Sequence, residues 1–148
     1  PDVTRFCREA MRVLKPGGCL AMIEPANTPW ARMIYQRCHH EPFDPSRGWA
    51  FESSGPLSGA NGALPWIVFV RDRARFGAEF PALHVARVEC HTPFRYLLSG
   101  GVSMRQLVPD WSFRPLTVCE RVAGPLNNLL GMFMTIHVRK NISTQALV

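Results

Sequence analysis

The sequence predicts an α/β fold, and three stretches predict it. From Val3 to Pro25 a helical period runs through a glycine turn into a short apolar run. Leu83–Thr92 and Gly131–Lys140 then read as alternating strands with helical segments between them. The chain has 148 residues, which suits a single domain able to bury a core without disulfides or metals.

The opening helix comes first. Val3, Phe6, Cys7, Ala10, Met11 and Leu14 recur at spacings of three and four, and Arg5, Arg8, Glu9 and Arg12 fall largely on the opposite face. Asp2 and Thr4 offer N-terminal capping, and Lys15 suits the negative end of the dipole. Pro16 cannot extend the helix, and Gly17 or Gly18 can take the left-handed turn that closes it. Cys19–Pro25, CLAMIEP, then reads as a buried strand stopped by proline. Helix, tight turn and strand make the second half of a βαβ unit whose first strand is expected before Pro1. Ligands of open α/β sheets bind beyond the carboxyl ends of the strands, which puts Glu24 at the rim of a site.

Asn27 or Thr28 caps a second helix with Pro29 at its first position and Trp30, Met33, Ile34 and Arg37 on one face. Phe43–Gly62 has the Pro, Gly and Ser density of a long loop, and loops of that length are often functional. Ala63–Phe80 predicts a helix opening at Pro65, with Trp66, Phe69, Val70, Arg73, Phe76 and Phe80 as its stripe; a strand over Ile67–Val70 is the alternative. Leu83–Phe94 alternates as a strand. Tyr96–Pro109 carries a Gly-Gly turn and a short helix. Arg114–Leu130 is helical in two pieces broken at Gly124-Pro125, and Gly131–Lys140 is the final strand.

The run REAMRVLKPGGCLAMIEP, Arg8–Pro25, resembles the segment leading into the fifth strand of class I S-adenosylmethionine-dependent methyltransferases. The resemblance implies a Rossmann-like three-layer sheet of which this chain holds the fifth to seventh strands. The seventh would be inserted antiparallel beside the fifth. Leu83–Thr92 and Gly131–Lys140 fill the last two places in the right order. The departure is also large: that family's glycine-rich loop after the first strand, and the acidic residue ending its second, have no counterpart here. Ser58–Gly62, SGANG, has no strand before it. Half a parallel sheet leaves an unpaired edge and uncovered apolar faces, so a missing N-terminal half or a second copy is expected to cover them.

The densest polar cluster, Cys38–Asp44, follows the first strand on its ligand side. His39, His40 and Glu41 are candidates for a general base that takes a proton from a hydroxyl or amine acceptor; an ordinary solvated helix end is the alternative. The resemblance implies that Glu24, Trp30 and the long loop contribute to the acceptor side of a pocket, with S-adenosylmethionine as cofactor; Asn61 and Trp66 flank that loop and are candidates to line the pocket, and Arg71 is a candidate clamp for an anionic substrate. The aromatic residues among them are equally suited to core packing, and Arg71-Asp72-Arg73 to surface ion pairs. A metal site built from Cys38, His39 and His40 with Cys90 and His91 is not expected, because adjacent residues rarely ligate one ion together. Cys90 and His91 are neighbours on a strand and point to opposite faces, which disfavours a Cys–His nucleophile.

Net charge is +6, and only two of the 17 basic residues, Lys15 and Lys140, are lysines. That balance favours anionic partners, although a GC-rich coding sequence is the simpler source of so much arginine. Five scattered cysteines without CxxC spacing fit a reducing, cytoplasmic compartment. Ala63–Val70 is far too short to span a bilayer. RDRARF is only a faint basic–aromatic interleaving, so nucleic acid is not an expected partner. The resemblance therefore implies methyl transfer to a small-molecule or glycan-like acceptor. A non-enzymatic α/β module docking through its open edge, or an RNA methyltransferase fragment, stands as the alternative.

Overall fold

The computed structural model describes residues 3–38, 41–50, 61–101 and 105–142, which form a mixed α/β fold built on a three-stranded sheet. The strands are β1 (Cys19–Pro25), β2 (Leu83–His91) and β3 (Phe133–Lys140), in the spatial order β1-β3-β2. β3 is antiparallel to both neighbours, so β1 and β2 run in the same direction with the last strand between them. No further strand lies among the described residues.

Helix α1 (Val3–Val13) buries Cys7 and Ala10, and burial pushes the Cys7 thiol up to about 11. Its closing turn places Gly17 at φ +77°, where only glycine is unstrained. A side chain at Gly18 would meet the Lys15 carbonyl at 2.8 Å. The sequence leaves the last carbonyls of α1 to Lys15 or water, but the structure gives them a cation from the other end of the chain. Lys140 Nζ donates to the Met11 and Leu14 carbonyls at 2.5 and 2.9 Å.

Helix α2 (Pro29–Cys38) is capped by Thr28, whose hydroxyl accepts from Ala31 N–H at 3.1 Å and donates to the Gly131 carbonyl at 2.9 Å. The expected helix over 63–80 is present in pieces: α3 (Leu64–Trp66), a π-helical turn (Ile67–Arg71) and α4 (Arg73–Glu79). Asp72 N–H donates to the Ile67 carbonyl at 2.8 Å, five residues back. The wider turn moves the apolar stripe away from a regular helical period. Ile67, Val68, Phe69, Phe76 and Phe80 are buried, while Val70 and Arg73, both expected on the stripe, lie at the surface.

β2 shifts register between Val85 and Arg87, leaving Ala86 as an extra residue. That explains why its inward valines, Val85 and Val88, are three apart rather than two. After β2 come α5 (Arg95–Leu98), a 3-10 turn (Asp110–Ser112), α6 (Phe113–Val122), a second 3-10 turn at the expected Gly124-Pro125 break (Gly124–Leu126) and α7 (Asn127–Leu130).

The core lies on one face of the sheet. Register places Leu20, Met22 and Glu24 beside Val138, Ile136 and Met134, and these beside Val85, Val88 and Cys90. Phe43, Trp49, Phe69, Phe76 and Phe80 join the same cluster. The opposite face carries Cys19, Ala21 and Ile23, then Phe133, Thr135 and His137, then Arg87, Glu89 and His91. Ile23 is 68% exposed there.

Candidate site at the carboxyl edge of the sheet

Pro25, Phe133 and His91 are in register, so the carboxyl ends of β1 and β2 form one edge with the start of β3 between them. Two clefts open along this edge, on either side of the end of β1. The first, of about 210 Å³, holds Glu24 among Val3, Phe6, Met22, Leu64, Pro65, Val68 and Phe69. Among the described residues, Glu24 is the one ionisable side chain lining it, and burial raises its carboxyl above the ordinary 4.5. A carboxyl so placed suits proton exchange with a bound hydroxyl or amine closer to neutral pH than an exposed glutamate does.

The second cleft, of about 100 Å³, is lined by Pro25, Tyr35, Glu41, Pro42, Phe43, Gly62, Tyr96 and Phe133. Tyr35 donates to the Met132 carbonyl at 2.6 Å and stacks on Phe43 at 5.0 Å, and burial raises its phenol well above its ordinary value. Tyr96 meets Phe133 edge-on at 4.8 Å. Thus Glu41, close behind β1 in sequence, reaches the edge that carries Glu24. His39 and His40 lie outside the described residues.

The other expected residues are engaged within the chain. Trp30 Nε1 donates to the Pro93 carbonyl at 3.1 Å, and its ring meets Phe94 edge-on at 6.4 Å. Trp66 is half-buried against the core. Asn61 accepts from Asp44 N–H at 2.9 Å, donates to the Asp44 carbonyl at 2.8 Å and accepts from Ala63 N–H at 3.2 Å. Arg71 forks onto Asp72, two contacts of 2.8 Å, and donates to the Pro45 carbonyl at 2.6 Å. Asp72 in turn accepts from Trp49 Nε1 at 2.9 Å. Asn61 and Arg71 therefore hold the described residues around Asp44: Asn61 joins Asp44 to Ala63, and Arg71 ties Pro45 to the π turn.

One group at this edge was not singled out from the sequence as a site. His91 has one ring nitrogen 2.9 Å from the Thr92 hydroxyl and the other 2.9 Å from the Thr135 hydroxyl. Burial holds its imidazolium below the ordinary value; Arg95 adds to that, while Glu89 and Glu120 oppose it. Thr92 sits at φ +53°, a strained position for a β-branched residue. The available signal was the abrupt end of an alternating strand at His-Thr-Pro. Among the described residues, no three His, Cys, Asp or Glu side chains gather as a metal site, and no helix is long and apolar enough to cross a membrane. All five cysteines are free.

Glu24 gives this edge a measurable pH signature. Its folded value is raised, so the folded chain holds the proton over a window starting near 4.5 in which the unfolded chain has lost it. Stability from this group is full below the window and falls as pH rises through it. Glu24→Gln therefore raises Tm relative to wild type at pH 8, with the two chains converging at pH 4, in paired calorimetric scans. A constant difference across pH would place the effect elsewhere.

Comparison with known proteins adds no family assignment: no family model, curated protein or solved structure matches this chain.

Proposed function

We propose that this chain is the acceptor-side, carboxyl-terminal part of a class I, S-adenosylmethionine-dependent methyltransferase, acting on a small-molecule or glycan-like acceptor. The observation that carries this reading is the strand order. An antiparallel last strand lies between two strands of common direction, preceded by the helix, Lys-Pro-Gly-Gly turn and strand of Arg8–Pro25. A supporting observation is that β1 is apolar on both faces as far as Ile23, although one of them is open. A strand of that composition suits cover on both sides and a parallel neighbour at its free edge.

In this reading Glu24 and Glu41 sit where the acceptor binds, and Glu24 accepts its proton. The clefts at this edge do not fit the cofactor; a larger one, about 330 Å³, lies between α5 and the start of α6, lined by Arg95, Gln106, Asp110, Phe113 and Leu116, and follows no glycine-rich turn after a strand. The edge clefts, about 210 and 100 Å³, fall below the roughly 300 Å³ at which small-molecule sites begin. Neither is built from a glycine-rich turn after a parallel strand. Cofactor binding accordingly belongs to a half that pairs along β1.

Titration calorimetry with S-adenosylmethionine tests this: the chain alone is expected to show no one-to-one binding at micromolar concentrations. Tight stoichiometric binding would show the cofactor site to be misplaced. Light scattering after size exclusion tests the competing reading, favoured by the open β1 edge. A stable, well-folded dimer that persists when the exposed Val118 and Val122 are changed to Ser means that the edge serves self-association, and the chain is then an interaction module.

A further inference from the structure

Helix α6 is inside out. Glu120 is 6% exposed and faces the protein, where it accepts from the Phe94 and Arg95 N–H groups at 2.9 and 2.8 Å and pairs with the Arg95 guanidinium. The solvent side carries the apolar residues instead. Trp111 in the preceding 3-10 turn, Val118 and Val122 stand at spacings of seven and four, one helical face, and are 76%, 57% and 77% exposed. Leu126 and Leu129, beyond the Gly-Pro break, are also exposed. An ordinary surface helix turns such a stripe inward.

The charge on the same side is one-signed. Arg114 and Arg121, seven apart, are exposed along one flank of the stripe, and Arg105 is exposed just upstream. The acidic residues of this region do not oppose them equally: Glu120 is internal and paired, leaving Asp110, which accepts from Gln106 at 2.7 Å. An exposed Trp and aliphatic residues flanked by arginines on a short helix are the composition that lies in a membrane interface, with the rings and branched chains entering the acyl boundary and the guanidiniums meeting phosphate. The +6 chain supplies long-range attraction of the same sign.

We propose that α6 and its flanking turns dock this protein, in the plane of the surface, onto an anionic lipid bilayer. A protein groove would need only the apolar stripe; the arginine flank, with the one exposed acid already bonded, selects an anionic surface. The proposal does not rest on methyl transfer. α6 packs against α5, and α7 packs on β2 and α2, so this region is joined to the sheet through β2, on the opposite side of β3 from the free edge of β1.

Vesicle flotation of the full chain tests it, with liposomes of phosphatidylcholine alone or containing about a third phosphatidylglycerol. Binding is expected to the anionic vesicles, weaker by an order of magnitude or more to the neutral ones, and released by 0.5 M NaCl. R114Q/R121Q lowers partitioning roughly 25-fold, about fivefold per charge. W111S/V122S abolishes it while the far-ultraviolet circular dichroism stays that of wild type. The salt and lipid arms need no variant, so a folding defect cannot mask the result. Failure to float with anionic vesicles, or flotation unchanged by W111S/V122S, overturns the proposal. So does a light-scattering dimer dissolved by V118S/V122S, which would make the stripe a contact between copies.

Discussion

Glu120→Ala lowers the stability of the folded chain by about 3 kcal/mol, near the lower end of the cost of removing one partner of a buried ion pair. The carboxylate does three things at once. It accepts the Phe94 and Arg95 N–H groups where α5 begins and pairs with the Arg95 guanidinium. Removing it leaves two amide donors without their acceptor and a cation whose side chain is only 31% exposed. The lower end applies because Arg95 can swing its head toward water and keeps a contact with the Phe113 ring at 5.4 Å. Glu120→Gln separates the terms: its amide oxygen still serves the N–H groups, so it costs about half as much. The double variant R95L/E120L removes the stranded cation but not the stranded amides and falls between the two. Chemical denaturation of the three variants checks the ordering. An alanine variant within about 0.5 kcal/mol of wild type, the usual span of a neutral surface change, would mean that the pair contributes nothing net.

How much of this was legible beforehand differs by element, for physical reasons. Helix α1, its glycine turn and β1 are local: period, proline and glycine chemistry all act within Val3–Pro25, so the sequence delimits them well. The break at Gly124-Pro125 is legible for the same reason. The bulge at Ala86 and the π turn at Ile67–Arg71 are not, since each is one extra residue accommodated by neighbours distant in sequence. Lys140 as the cap of α1 was illegible because its partners lie more than 120 residues away. At the candidate site, Glu24 lies at the sheet edge because it is the penultimate residue of β1, whereas Glu41 lines a cleft there only through the packing of the segment that follows α2. The surroundings that set their chemistry, Phe6, Leu64 and Tyr96 among them, come from three other segments. Asn61 and Arg71 show the converse. A polar residue bordering a glycine-rich loop looks the same in sequence whether it meets a ligand or holds the chain beside it, and here Asn61 and Arg71 bond to Asp44 and Pro45.

Gly131→Ala has an effect of similar size, about 3 kcal/mol of destabilisation, at the top of the range for forcing one methyl into a packed interior. Its backbone is unremarkable, with φ −60° and ψ 126°, so the residue's conformational freedom is not the issue. Space is. A Cβ there would stand 2.7 Å from the Asn127 carbonyl, 2.8 Å from His91 N and 2.9 Å from Cys90 Cβ. Two of the three are main-chain atoms, which cannot rotate aside, and two of the three belong to β2. Relief requires moving α7 away from β2, and the neighbouring bonds resist that. The Gly131 carbonyl accepts from Thr28, and Met132 next to it accepts from both Ala26 N–H, at 2.9 Å, and the Tyr35 hydroxyl. The methyl would therefore disturb the N-cap of α2, the end of β1 and the wall of the Glu41 cleft together. Hydrogen exchange distinguishes this from general loosening. The Ala26, Ala31 and His91 amides should lose protection in Gly131→Ala at denaturant concentrations where Leu20 and Ile136 keep theirs. Uniform loss across the sheet would show instead that the junction and the core open as a single unit.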